Sequence, residues 1–151
     1  MIPRLSFSER IPHVVKGFLA ELRQSKFSGK INHDYATRVV TSTDNSIYQV
    51  LPQAIVSPKN ICDIQTVMSI ADKKKFRNSI KISARGGGTG TNGQSLSDGI
   101  VLDCSRFMNK ILEINLKQGW VKVKPGVVLD QLNEDLEPYN VFFAPDLSPS
   151  N

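Results

Sequence analysis

The stretch SARGGGTGTNGQ, Ser83 to Gln94, packs five of the chain's ten glycines into twelve positions. It lies between two apolar runs, Ile80-Lys81-Ile82 and Ile100-Val101-Leu102, each of which reads as a strand. Glycine tolerates positive φ and lets another group come close to the main chain. The spacing therefore predicts a strand-to-strand connection with deliberately bare backbone, and the question is which group approaches it.

Three phosphate-binding arrangements compete. Gly88, Gly90 and Gly93 satisfy GxGxxG, but that fingerprint needs a helix directly after the loop to set its N-terminus on a pyrophosphate. Here Gln94–Gly99 runs straight into the second strand, and Asp103 follows Gly93 too closely to be the expected acidic partner. A Walker loop fails as well, because Gln94-Ser95 stands where lysine and then serine or threonine are required. What remains is a nest of successive N–H groups that holds an anion with no helix behind it. Gly86, Gly87, Gly88 and Gly90 would admit a diphosphate, Thr89 and Thr91 would add hydroxyl donors, and Arg85 a charge. A simple tight turn between strands does not account for five glycines.

The surrounding pattern places this loop in a mixed α/β context. Ile11, Val14, Val15, Phe18, Leu19 and Leu22 recur at helical spacing over residues 9 to about 24, with Pro12 suited to the first turn. A polar stretch, Ser25 to Asp34, follows, then a short helix at Tyr35–Val40 and a connector, TSTDNSIYQVLP. Ala54-Ile55-Val56 reads as a buried strand. Asn60, with Asp63 three residues on, reads as an approximate capping box for a helix reaching about Lys75. A hairpin is expected from Ile111–Ile114 and Trp120–Val123 around the turn Asn115–Gly119. A helix over Val127–Leu136 and a last apolar run, Val141-Phe142-Phe143, complete the pattern. The β-α-β unit favours a parallel pair, and the hairpin would make the sheet mixed.

Composition bounds the rest. The chain has 151 residues, 40% hydrophobic and 22% charged, which suits one globular domain. Nineteen Lys and Arg against fourteen Asp and Glu give a net charge of +5. The densest cationic run, Lys73-Lys74-Lys75 with Arg77, has no interleaved aromatics to stack bases and reads as a solvated helix end, so no nucleic-acid partner is expected. No apolar run reaches the length of a membrane span and no secretory leader is evident. Cys62 and Cys104 read as idle thiols of a reducing compartment, so the cytoplasm is expected, with a membrane surface reached only through an electron acceptor. His13 and His33 suit surface or capping roles. Trp120 suits core packing, Tyr48 either a ligand contact or a sheet-edge cap, and Asp44 and Asp103 local hydrogen bonds in turns.

The ordered set of Ala54–Asn60, Arg85–Gln94, Ile100–Asp103 with Ser105, Trp120–Val127 and FAPDLS at Phe143–Ser148 resembles the FAD-binding domain of the p-cresol methylhydroxylase and vanillyl-alcohol oxidase superfamily. It is most similar there to the FAD-linked D-2-hydroxyacid dehydrogenases, in particular the large bacterial D-2-hydroxyglutarate dehydrogenases. The resemblance implies an α+β fold, a mixed sheet with flanking helices. A helical N-terminal segment and connector (1–45) would precede an FAD-binding domain (46–151) that is incomplete at its C-terminal end. It implies that Gly86 to Gly90 and Thr91, Asn92 and Gln94 wrap the FAD diphosphate, with Arg85 beside them. Pro145, Asp146 and Ser148 would begin a second FAD-contacting loop. Thr89 stands where some relatives carry a flavin-tethering histidine, which implies non-covalent FAD.

No catalytic residue and no metal ligand is expected in these 151 residues. A substrate-binding cap, and any metal or iron–sulfur cluster, would belong to the remainder of the polypeptide, and the D-2-hydroxyacid would bind the intact enzyme. The alternatives are a stand-alone nucleotide- or phosphate-binding module and, less favoured, a basic nucleic-acid-binding domain.

Overall fold

The computed structural model describes residues 10–145. The elements in order are α1 (His13–Gln24), β1 (Lys30–Asn32), α2 (Tyr35–Val40), β2 (Ala54–Ser57), α3 (Ile61–Ala71), β3 (Ile82–Arg85), β4 (Ile100–Asp103), β5 (Ile111–Asn115), β6 (Trp120–Val123), α4 (Leu129–Leu136) and a 3₁₀ turn at Glu137–Tyr139. This is the expected α+β fold with a mixed sheet.

The four-stranded sheet has the order β1-β2-β4-β3. β2 and β3, joined by α3, run parallel but do not touch, because β4 inserts between them with Ala54 opposite Ile100 and Ile82 opposite the same residue from the other side. The sheet is mixed because β1 pairs antiparallel with β2. The hairpin β5–β6 forms a separate two-stranded sheet instead of supplying the antiparallel strands. β1 lies within the stretch that reads as polar loop. It carries one apolar residue, Ile31, and owes its strand geometry to the exposed edge of β2.

Alternation along the strands sends Ala54, Val56, Ile100 and Leu102 to one face, where Val15, Phe18, Leu19 and Leu22 of α1 and Val67, Ile70 and Ala71 of α3 cover them. α1 begins after Pro12, whose carbonyl accepts from Lys16 N–H at 3.0 Å. α3 stops at Ala71, four residues short of Lys75, since the chain turns to bury Phe76 edge-on against Phe18, 5.8 Å between ring centres. The lysine run therefore sits past the helix end, where Lys73 and Lys75 pair with Glu21 of α1.

The cap of α3 is also rearranged. Asn60 Oδ1 accepts from Asp63 N–H at 3.0 Å as a cap should, but the Asp63 carboxylate receives Lys59 N–H at 2.8 Å and Ser28 N–H at 2.8 Å. A reciprocal box with Asn60 is thus replaced by a tie to the loop that feeds β1.

Two surface carboxyls are held below their ordinary range. Hydrogen bonds from Lys73 and then Lys75 lower Glu21, and the Thr37 N–H and hydroxyl that cap α2 lower Asp34. The unfolded chain then binds more protons than the folded one as pH falls through these groups. Their stabilisation is complete above the unfolded values, about pH 4, and is lost below them. Calorimetric scans should show a melting temperature that is flat from neutrality to about pH 5 and falls beneath about pH 4. A rise on acidification would contradict this.

Candidate functional site

The three parallel strands end at Ser57, Arg85 and Asp103, and the segments leaving them meet at one edge of the sheet. In open α/β sheets ligands bind outside the carboxyl ends of the strands, where connections diverge. Cys104 N–H donates to Arg85 carbonyl at 2.8 Å, joining the start of the glycine loop to the turn after β4. That turn is fixed by Asp103, whose Oδ1 accepts from Ser105 N–H (3.0 Å) and hydroxyl (2.6 Å), while Oδ2 accepts from Ser57 Oγ at 3.3 Å. A third segment, Lys124–Val127, closes the edge. Gly126 N–H donates to Met108 carbonyl at 2.7 Å, and the Pro125 carbonyl lies 3.3 Å from where a Cβ on Gly86 would sit.

The loop itself has no helix at Gln94–Gly99, in keeping with a strand-to-strand nest. Among the described residues, the N–H groups of Gly86, Gly87, Gly88, Thr89, Gly90 and Thr91 donate to no protein acceptor, whereas Asn92 N–H is taken by Gln94 Oε1 at 3.1 Å. These six successive donors lie on exposed or half-buried backbone.

The glycines divide by what occupies the space of a missing side chain. Gly88, at φ +72°, is bare because the Arg85 guanidinium fills its Cβ position. Gly93, at φ +73°, faces the Tyr48 ring at 3.0 Å, and the Gln94 side chain fills the place of a Cβ on Gly90 at 2.5 Å. Gly87 differs. Its φ is not positive, it is exposed, and a Cβ there would meet only the Thr89 methyl at 3.4 Å. Protein packing does not require glycine at 87, so the open approach there is available to a ligand.

Arg85 turns beneath the loop. Its Nη1 lies 3.5 Å from Ser95 Oγ, which donates to Asp44 Oδ2 at 3.2 Å. Asp44 thus does more than cap its own turn. Its carboxyl is held below the usual range first by Ser46, then by Ser95 and the Arg85 charge. Nothing local in the sequence points to Asp44 or Ser95 as parts of this site, since 51 residues separate them. Tyr48, open between two roles, lies against the loop. Trp120 is no core residue. It is 40% exposed and its Nε1 donates to Gln118 Oε1 at 2.7 Å, because β5–β6 presents an uncovered face.

His13 and His33 are exposed, and no group of three or more His, Cys, Asp or Glu is placed to hold a metal among the described residues. Cys62 and Cys104 are free thiols. No helix among these residues is long and apolar enough to cross a membrane. Pro145 is exposed and some way past α4, while Asp146 and Ser148 lie outside the described residues.

A model of the FAD binding domain family matches residues 52–150. The chain belongs to the FAD-binding domain family. The chain is 48% identical over all 151 residues to the D-2-hydroxyglutarate dehydrogenase of Escherichia coli (strain K12), covering 15% of that protein. It is 57% identical over 134 residues, 89% of its length, to the dehydrogenase of the same name from Pseudomonas putida, covering 13% of it. The glycolate oxidase subunit GlcD of Bacillus subtilis (strain 168) is 31% identical over 125 residues, 80% of this domain and 26% of that subunit. The chain therefore spans only about one seventh of the length of the dehydrogenases it matches.

Among solved structures, p-cresol methylhydroxylase with substrate bound superimposes with a TM-score of 0.62 at 21% identity, over 84% of this domain and 24% of that chain. Alkyldihydroxyacetonephosphate synthase gives 0.67 at 19% identity, over 82% and 25%. The cofactor of the domain is FAD.

Proposed function

We propose that this domain is the flavin-binding portion of a dehydrogenase that oxidises a D-2-hydroxyacid, of the 2-hydroxyglutarate, lactate or glycolate class, to the 2-oxoacid. The observation that carries the reading is the run of unpaired N–H groups from Gly86 to Thr91 at the carboxyl edge of the parallel strands. The dehydrogenases named above support the substrate class.

Bound FAD supplies a hydride acceptor for the substrate α-carbon. The chain's own residues bind and orient. The amides of Gly86–Thr91 hold the diphosphate, Gly87 lets it approach, and Asn92 and Gln94 close the turn. Pro145, Asp146 and Ser148 are assigned to a second FAD-contacting loop. Thr89 can form no flavin bond of the histidyl kind, so the cofactor is held non-covalently. Among the described residues none is assigned as acid or base for the substrate. An apolar groove of about 370 Å³ lies between β5–β6 and the segment after α4. Leu116, Trp120 and Phe143 line it in part exposed, and Phe142 is 73% exposed, a face suited to more of the same protein.

The test compares flavin absorbance of the purified 151-residue chain with that of a polypeptide continuing past residue 151. Weak or absent yellow colour on the short chain and stoichiometric flavin on the long one is the expected result. Stoichiometric FAD on the short chain favours a stand-alone nucleotide-binding module, and colourless protein in both cases removes the flavin reading.

A further inference from the structure

Of the two loop glycines in the left-handed region, Gly93 is backed directly by Tyr48 of the connector that precedes β2, and Gly88 by Arg85, which reaches the connector through Ser95. This connector is a clasp of fixed shape. Thr43 and Gln49 pair antiparallel across it, and Val50 N–H donates to Ser42 carbonyl at 2.9 Å. Gln49 Nε2 donates to the hydroxyl of buried Ser42 at 3.1 Å. Inside the clasp Asp44 Oδ1 accepts from Ser46 N–H at 2.9 Å, which leaves Oδ2 aimed at Ser95. A guanidinium has no acceptor and a carboxylate no donor, so the hydroxyl of buried Ser95 must receive from Arg85 and give to Asp44. The link runs from connector to loop end to β3, and it keeps the guanidinium in the space beside Gly88. Tyr48, at the far end of the clasp, lies against Gly93. Residues 41–51 fall outside the 52–150 span matched by the family.

We propose, resting on the flavin reading above, that the connector is a working part of the FAD site. Asp44, acting through Ser95 and Arg85, and Tyr48, acting on Gly93, are positioning residues that hold the amides of Gly86–Thr91 as one outward-facing nest. The physical need is plain. Glycine backbone loses more conformational entropy on ordering than any other, so an unbraced loop would bind its anion weakly. A brace made within the protein removes that loss before the ligand arrives.

The test uses the ¹⁵N-labelled 151-residue chain titrated with FAD and followed by backbone amide shifts, which report weak binding and the integrity of the fold together. Asp44→Asn is expected to weaken FAD about tenfold, the size of one hydrogen bond to a charged group. Amide exchange at 86–94 should quicken while the amides of β2 and β4 keep their shifts. Ser95→Ala cuts the same link without touching the clasp and should give the same loss, so it carries the test if Asp44→Asn fails to fold. Because Asp44 acts through Arg85, adding Asp44→Asn to Arg85→Gln should weaken FAD no further. Additive losses, or FAD binding unchanged or tightened by Asp44→Asn and Ser95→Ala, overturn the positioning role while leaving the flavin reading intact. If the wild-type 151-residue chain shows no FAD-dependent shift, the same variants are compared in the polypeptide continuing past residue 151, where absence of bound flavin overturns that reading and the proposal with it.

Discussion

Replacing Gly87 by leucine is expected to abolish FAD binding without lowering the melting temperature. The residue is exposed, its φ is not positive, and the nearest atom to an added Cβ is a methyl at 3.4 Å. Substitution at such a site usually changes stability by less than about 0.5 kcal/mol, and reducing glycine's freedom in the unfolded chain works in the stabilising direction. The ligand meets a different situation. A leucine side chain at 87 occupies the approach to the free amides, and each charge-assisted bond to a diphosphate oxygen that is lost weakens binding by about 1.5–3 kcal/mol. Losing two of them lowers affinity by a factor on the order of 100 or more.

Gly88→Leu is the control with the opposite signature. At φ +72° an L-residue is strained by about 1–2 kcal/mol, and the new side chain must also evict the Arg85 guanidinium. Its melting temperature should fall as well as its affinity. FAD titration and thermal unfolding on both variants separate the cases. Retention of FAD by Gly87→Leu would mean that the diphosphate lies elsewhere.

The second large effect concerns stability alone. Asp63 is 2% exposed, and its carboxylate accepts the N–H groups of Ser28 and Lys59 and, at 3.0–3.1 Å, the Ser28 hydroxyl. It also sits in the first turn of α3, where a negative charge opposes the helix dipole's positive end. Asp63→Ala leaves two backbone donors without acceptors, at about 1–3 kcal/mol each, so a loss of about 3–4 kcal/mol is expected. For a chain of this size that is a fall in melting temperature on the order of 10 °C. Asp63→Asn keeps one carbonyl oxygen and should lose roughly half as much. Chemical denaturation would read both directly. A loss under about 1 kcal/mol for the alanine variant would show that water replaces the carboxylate.

Much of the scaffold was legible because it rests on local pattern. The helical spacing of Val15, Phe18, Leu19 and Leu22, the apolar runs at 54–56 and 100–102, and the hairpin about Asn115–Gly119 all form where periodicity places them. Errors cluster where a distant partner decides. β1 exists because β2 offers it an edge, and α3 ends early because Phe76 finds Phe18. Trp120 is uncovered because nothing among the described residues packs on that face of the hairpin. Val141-Phe142-Phe143 forms no strand, and Phe143 N–H donates to the Asn133 side chain at 2.8 Å instead.

The same division holds at the site. The sequence by itself determined that a glycine-rich loop with no helix after it follows one strand and precedes the next. Glycine density and the absence of room for a helix are properties of the chain, and no packing can supply them. Only the tertiary structure decided which glycine serves which purpose. Gly88, Gly90 and Gly93 are bare to make room for Arg85, Gln94 and Tyr48, whereas Gly87 is bare with nothing of the protein against it. Arg85 sets its guanidinium beside Gly88 and reaches Ser95, whose hydroxyl donates to Asp44, 41 residues earlier in the chain. A side chain's direction is set by the charges and space the fold brings to it, and those belong to no short stretch of sequence.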